Sequence, residues 1–385
     1  MIYLDNAAST PVHQKVVDEM IPYFGEQYGN PSSIHKLGRA ANTAIQNSRK
    51  RIAELISADS KEILLTSGGT ESNNTAIYGV ASEGKGRHII TSSIEHDAIL
   101  EPCKRLEKEG YKISYLPVDK HGLVDVNDVQ KEISHDTCLI TIMFANNEVG
   151  TVQPIKEIAY MAHKNNIIFH TDAVQAVGKI PINVNDIGID LLSISSHKIN
   201  GPKGVGALYI RKGISVAPLI LGGGQENGLR SGTENVASIV GFGMACKLAK
   251  ENMGQNTVHF KSLTSKLTAR ILSEIPQTNL NGHLEKRIPN NAHFTFLGVN
   301  GEDLIIKLDE NKIAASTGSA CSVRIQKASH VLRAMGFSHE QITGSLRLTV
   351  GTTNTEEEMN QTVDILKKVV QELRAVSPYK SKYNF

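Results

Sequence analysis

From about residue 60 the chain alternates short apolar runs with amphipathic stretches. Aliphatic, β-branched runs at 62–66, 88–92, 112–118, 137–145, 167–171, 191–195 and 206–210 predict strands, and helical patterns fill most of the gaps between them. One such helix starts near Pro154, whose fixed φ suits a first helical turn, and runs to about residue 164. This alternation predicts an α/β fold with a mostly parallel seven-stranded sheet between layers of helices. Residues 235 to about 273 read as one long helix or two in succession. A smaller set follows: strand 291–299, helix 301–310, strand 313–317, helix 326–335, strand 345–350 and a closing helix 355–374. These predict a smaller α+β unit, on which the short N-terminal arm is expected to pack. The expected division is 16–255 for the large unit, and 1–15 with 256–385 for the small one.

Composition narrows the class. A chain of 385 residues has room for two such units. Net charge is +2 without a long lysine or arginine block, which argues against a dedicated nucleic-acid surface. A weak or partner-mediated RNA contact stays open. The start, Met1-Ile2-Tyr3-Leu4-Asp5-Asn6, carries neither a basic n-region nor an apolar signal segment. No stretch approaches the roughly 20 apolar residues a bilayer demands. Cys103, Cys138, Cys246 and Cys321 show no CxxC spacing, so neither a disulfide framework nor a zinc site is expected. A reducing cytoplasm fits best.

Candidate chemistry concentrates where Ser195-Ser196-His197-Lys198 closes an apolar run and opens the turn Asn200-Gly201-Pro202-Lys203-Gly204. A lysine becomes a nucleophile towards carbonyls when neighbours or burial lower its pKa. The obvious carbonyl is pyridoxal 5′-phosphate, PLP. A lone lysine is ordinarily a solvated charge, so the case rests on its surroundings. In open α/β sheets, ligands bind outside the carboxyl ends of the strands. The residues expected at those ends are all polar. Gly68-Gly69-Thr70 can cradle a phosphate at a helix start, though the same residues make a plain capped loop. Ser195 and His197 can add phosphate hydrogen bonds. Asp172 would be costly to bury unpaired, and a protonated pyridine nitrogen would satisfy it; a solvated loop carboxylate is the bland alternative. His96 can stack on such a ring and exchange protons. Asn147 and Gln175 can bond its phenolic oxygen, or Asn147 a substrate carboxylate. Arg347, in an alternating strand, has the fork that binds a carboxylate, and equally suits a surface salt bridge.

The cysteines divide. Cys138 and Cys246 lie in apolar patterns and read as core hydrophobes, and Cys103 follows Pro102 without an obvious activator. Cys321 stands in Ser316-Thr317-Gly318-Ser319-Ala320-Cys321-Ser322, a run of small residues expected to be an exposed loop, with Arg324 and Lys327 to favour a thiolate. A thiolate near an amino-acid adduct of PLP suggests sulfur chemistry.

Taken in order, these segments resemble the cysteine desulfurases of the NifS/IscS type, within the class V aminotransferase family. The resemblance runs from Tyr3-Leu4-Asp5-Asn6-Ala7-Ala8 to the last helix. Its most specific pieces are Ser195-Ser196-His197-Lys198 with Gly201-Pro202-Lys203-Gly204, Asn146-Asn147-Glu148-Val149-Gly150, His170-Thr171-Asp172-Ala173-Val174-Gln175, Arg230-Ser231-Gly232-Thr233 and Ser319-Ala320-Cys321. It implies the fold type I architecture of PLP enzymes and a homodimer. It implies that Lys198 forms the Schiff base and that Asp172 pairs with the pyridinium. Gly69, Thr70, His96, Asn147, Gln175, Ser195, Ser196 and His197 would contact the cofactor. Thr233 would reach the phosphate held by the neighbouring subunit. Asn147 and Arg347 would hold the substrate carboxylate. His96 would manage protons, and Cys321 would take sulfur from L-cysteine as a persulfide, leaving L-alanine. An iron–sulfur scaffold protein or a tRNA-thiolation enzyme would accept that sulfur. No metal site is expected within one chain, although Cys321 could ligate a cluster shared with a scaffold.

The chain departs from the common pattern at Ser322-Val323-Arg324-Ile325-Gln326-Lys327, at Val350-Gly351-Thr352 and in its short tail. These departures bear on the acceptor more than on the chemistry. Two rival readings remain: another PLP enzyme of the family, such as a selenocysteine lyase or an aminotransferase, and a non-catalytic docking subunit. Transamination needs no thiol, and docking needs neither Lys198 nor Cys321.

Overall fold

The computed structural model describes residues 1–84, 86–318 and 328–379. Its strands are β1 (Ile2–Tyr3), β2 (Ile63–Thr66), β3 (His88–Ser92), β4 (Lys112–Leu116), β5 (Thr137–Thr141), β6 (Ile168–Asp172), β7 (Leu191–Ser195), β8 (Gly206–Ile210), β9 (Thr278–Asn281), β10 (Asn291–Phe296), β11 (Ile313–Ala314) and β12 (Ser345–Thr349). The large sheet is seven-stranded, in the order β2-β8-β7-β6-β5-β3-β4. Neighbours from β4 to β7 pair in parallel, and β8 runs antiparallel to both β7 and β2. Only β8 is therefore reversed, and the carboxyl ends of all the other strands share one edge. Every residue of β2, β3, β5 and β7 is buried. Helices cover both faces, which is why these strands read as continuous apolar runs instead of alternating ones.

Two apolar cores are distinct. One, which includes Ile140, Phe169, Leu192 and Phe242, lies against the large sheet. The other joins Ile2 and Leu4 to Phe260, Leu267, Phe294, Leu346 and Leu366. The Val236–Glu274 helix connects them as one unbroken element of 39 residues, about 58 Å long at the usual rise. Its first part buries Phe242 and Cys246, and its last part buries Phe260, Leu263 and Leu267. Close approach is built in: a Cβ on Gly243 would lie 2.7 Å from Ser48 of the Lys36–Leu55 helix. The second unit has an antiparallel sheet in the order β12-β10-β9. The N-terminal arm packs there, with Ile2 and Tyr3 of β1 paired in parallel to Ile313 and Ala314 of β11.

Several elements are shorter than their apolar runs. The expected strand at 137–145 ends its ladder at Thr141. Beyond it Phe144 N–H bonds the Asp172 carbonyl, Met143 N–H bonds Glu95, and Asn146 N–H bonds the Thr151 carbonyl. The chain stays buried while bending out of the sheet, so burial outlasts pairing. The strand expected at 313–317 pairs only through Ala314, and Ser316 then bridges to Arg347. The helix expected from 326 begins at His330, because Ser329 caps it with its hydroxyl. Pro154 is the cap residue of the Ile155–Lys164 helix, one position before its first turn. The β9 strand and the His339–Thr343 helix give no clear pattern in the sequence.

Candidate active site

A cavity of about 310 Å³ opens at the carboxyl edge of the large sheet. The ends of β2, β3, β5, β6 and β7 each deliver something to it. Gly69 and Thr70 follow β2, line the cavity and begin the Gly69–Ala81 helix, whose first N–H groups have no partner within the helix. Gly68 adopts φ +151°, and a Cβ on Gly69 would lie 2.8 Å from Val174. His96 follows β3, and its Nδ1 accepts the Ala98 N–H at 3.0 Å as an N-cap. In the neutral ring the proton is therefore on Nε2. Asn147 and Glu148 follow β5, Asp172 ends β6, Ser195 ends β7, and His197 and Lys198 follow it. Burial, helped by the charges of Lys198, Lys203 and Lys179, pushes the His197 imidazole down to about 4, so it is neutral near pH 7.

Asp172 is buried, which settles the alternatives of its exposure. Its Oδ2 accepts from Asn73 Nδ2 at 2.7 Å and its Oδ1 from Val174 N–H at 3.0 Å. None of the described residues brings a cation within ion-pair distance of it. A carboxylate removed from water without a counter-charge is unfavourable. A protonated ring nitrogen entering the cavity would supply that charge. Together with the helix start at Gly69 for a phosphate and an amine at Lys198, the residues fit PLP.

Lys198 Nζ donates to the carbonyls of Ala7 and Ala8, at 2.6 and 2.8 Å. The N-terminal arm thus reaches from the small unit into the site. Gln175 Nε2 donates to the same Ala7 carbonyl at 3.0 Å. Arg347 is 2% exposed, so it is no surface salt bridge. Its Nη2 bonds Asp5 Oδ1 at 2.8 Å, and its Nη1 bonds the carbonyls of Asn147 and Gly318 at 2.8 and 3.1 Å. Nε, buried, has no partner among the described residues and keeps one N–H to offer.

Two expected contacts are not brought to this cavity. Ser196 is fully buried and packs its hydroxyl beneath Gly201, because the turn after β7 points alternate side chains away from the opening. Thr233 is exposed and lines a separate depression with Ser67, Gly204 and Arg230. Cys321 lies outside the described residues.

Sequence reasoning passed over several residues that the fold places here. Asn73, on the Gly69–Ala81 helix, gave no signal of its own. Glu148 stood beside Asn147 without a role. Its buried carboxyl accepts from Ser329 Oγ at 2.6 Å, and burial raises its pKa despite that bond. Glu95 lies fully buried below the site. Its Oε1 accepts from Ser92 Oγ at 2.6 Å and from Met143 N–H at 2.9 Å. Burial, reinforced by Asp172, pushes it up to about 8.

Comparison with known proteins agrees with this arrangement. The aminotransferase class-V family model matches residues 2–362. A cysteine desulfurase IscS of Dictyoglomus turgidum is 50% identical, covering 99% of this chain and 98% of that protein. A cysteine desulfurase IscS of Methanosarcina thermophila is also 50% identical, over 99% of this chain and 95% of that one. Among solved structures, a NifS-like protein superposes with a TM-score of 0.91 at 39% identity, covering 96% of this chain and 99% of that one. The structure of SspA in complex with cysteine superposes with a TM-score of 0.80 at 37% identity, covering 91% and 99%. Sheet order, strand-end residues and near-complete sequence coverage lead to one conclusion: the chain belongs to the class-V aminotransferase family.

Proposed function

We propose that this protein is a PLP-dependent cysteine desulfurase, converting L-cysteine to L-alanine and passing the sulfur on as a persulfide. The observation that carries it is the meeting, in one cavity, of Lys198 and the buried carboxylate of Asp172, which has no ion-pair partner among the described residues. The similarity to cysteine desulfurases over nearly the whole chain supports the substrate.

PLP bound here would supply an electron sink that makes the substrate Cα proton acidic and its Cβ–S bond labile. Asp172 would hold the ring nitrogen protonated, itself fixed by Asn73 and the Val174 N–H. The Gly69 and Thr70 backbone, with Ser195 and neutral His197, would hold the phosphate. Gln175 would offer its amide to the phenolic oxygen, and His96 would cover the ring with Nε2–H available for proton exchange. Lys198, as an amine, would carry the Cα proton. Arg347 would take the substrate carboxylate through its remaining donors, with Asn147 beside it. Cys321 would attack the substrate sulfur. In balance, L-cysteine and a thiol give L-alanine and a persulfide, the proton of the Cys321 thiol ending on the product.

Three further features belong to the same proposal. The chain works as a homodimer in which Thr233 reaches the partner's phosphate. The chain divides at 15/16 and 255/256, a reading supported by the two apolar cores, although Ile288 packs in the first core and a further cluster joins Ile94 and Met143 to Val331 and Leu332. The persulfide passes to an iron–sulfur scaffold or another sulfur acceptor. No helix among the described residues is long and apolar enough to cross a membrane.

The test is the visible spectrum of the purified protein before and after L-cysteine, with alanine and sulfide measured. A band that changes with cysteine while alanine accumulates is expected. Keto acid from other amino acids without sulfide would instead identify an aminotransferase.

A further inference from the structure

Lys179 is a buried amine with no part in the reaction above. It is 5% exposed, in the turn after β6. Its Nζ donates to the Gln175 carbonyl at 3.0 Å and to Gln175 Oε1 at 3.4 Å. Gln175 Nε2 in turn donates to the Ala7 carbonyl, which also accepts from Lys198 Nζ. Lys179 and Lys198 are thereby joined through one amide and one carbonyl. Lys198 also lines a rear cavity of about 360 Å³, whose wall includes Lys179, Asn6, Asn252 and Asn290.

Two consequences follow from this geometry. An amide is nearly symmetric in shape but not in polarity. An ammonium can only donate, so it holds Oε1 towards itself and leaves the N–H side of Gln175 turned to Ala7, a wall residue of the front cavity. The second consequence is electrostatic. A positive charge behind Lys198, in a medium of low dielectric, opposes a second positive charge there. The repulsion is mutual: burial first, then Lys198 and Arg347, push Lys179 down to about 7.

We propose that Lys179 is a positioning residue that fixes the donor face of Gln175 and lowers the proton affinity of the Lys198 nitrogen when PLP is bound. This rests on the PLP reading of the site. Among the described residues, the other charged or titratable groups lining the two cavities that Lys198 borders are Asp172 at the end of β6, His197 beside it, His96 and Asp97 after β3, Glu148 after β5, His330, Arg347 on β12 and, at the rear, His13. Lys203, in the following turn, acts on His197. These groups are common to the wild type and to every variant at position 179, so differences report Lys179.

The experiment is a pH titration of the visible band of the full-length, PLP-loaded protein, for wild type, Lys179→Met, Lys179→Gln and Lys179→Arg, with thermal unfolding in parallel. The midpoint should rise in the Met and Gln variants, by up to about one pH unit, the full shift requiring that Lys179 keeps its proton across the titration. In the Arg variant, which keeps the charge, it should stay or fall. A purely structural role would change thermal stability without ordering the midpoints by charge. If Lys179→Met does not fold, the Gln and Arg variants carry the comparison. Midpoints that ignore the charge at position 179 in loaded protein overturn this inference alone. A wild type that takes up no PLP overturns it together with the coenzyme reading.

Discussion

Asn73 Nδ2 lies 2.7 Å from Asp172 Oδ2, joining the first helix after β2 to the end of β6. The bond orients a buried carboxylate that has no cation among the described residues. Asn73→Ala should therefore weaken PLP binding by about tenfold or more, the usual worth of a hydrogen bond to a charged group. Asp172→Asn should weaken it further. Titration of the apoprotein with PLP, followed by absorbance, measures both. Equal affinity in wild type and Asn73→Ala would remove Asn73 from the site.

Lys198→Ala should abolish the visible band of a lysine–coenzyme imine while leaving the fold intact. Absorbance and circular dichroism read the two effects separately. A band that persists in the variant would assign the imine to another amine.

Three of the four cysteines are poor nucleophiles by position. Cys103 is buried and its thiol pushed up to about 12, Cys138 to about 11, and fully buried Cys246 is raised as well. Burial disfavours the thiolate in each. Cys321→Ser should consequently keep the PLP spectrum and lose sulfur release by at least two orders of magnitude, an expectation from removal of a nucleophile. Full turnover in that variant would point to a thiol these burials argue against.

The Asp5 carboxylate and two carbonyls hold Arg347 in place, so its fork is preset before substrate arrives. Arg347→Lys keeps the charge but loses the planar fork. It should raise KM for L-cysteine by about tenfold to a hundredfold. Steady-state kinetics decide this; an unchanged KM would place the substrate carboxylate elsewhere.

Glu95 gives a pH signature of stability. Its folded pKa, near 8, stands above the ordinary carboxylate value of 4.5. Between those values the unfolded chain is ionised there while the folded chain keeps the proton. Its contribution is thus complete at pH 4.5 and is lost as pH rises towards 8, by about 1.4 kcal/mol per unit at most. The neutral variant Glu95→Gln should gain stability relative to wild type across that window. Urea unfolding at several pH values tests it, and a constant difference would mean that Glu95 is ionised in both states.

Much was readable along the chain because the physics involved is local. Runs such as Leu191–Ser195 must be buried on both faces, and the Gly68-Gly69 turn must open a helix. The polar residues where such runs end therefore mark the ligand edge of the sheet, which brought Lys198, Asp172, His96 and Asn147 to notice. Element ends were less legible: burial continues past Thr141 after the ladder stops, and a buried run reads alike in either state. The two outlying contacts, Ser196 and Thr233, depend on which way a turn faces and on surroundings beyond one cavity.

Local pattern therefore determined the parallel sheet, its chemistry-bearing edge and the lysine at its centre. Folding alone decided what surrounds that lysine. Ala7 meets Lys198 across 191 residues of chain, and Asn73 meets Asp172 across 99. Hydrogen bonds at such separation leave no periodicity or spacing behind, because their partners are chosen by packing and by the need to satisfy buried polar groups.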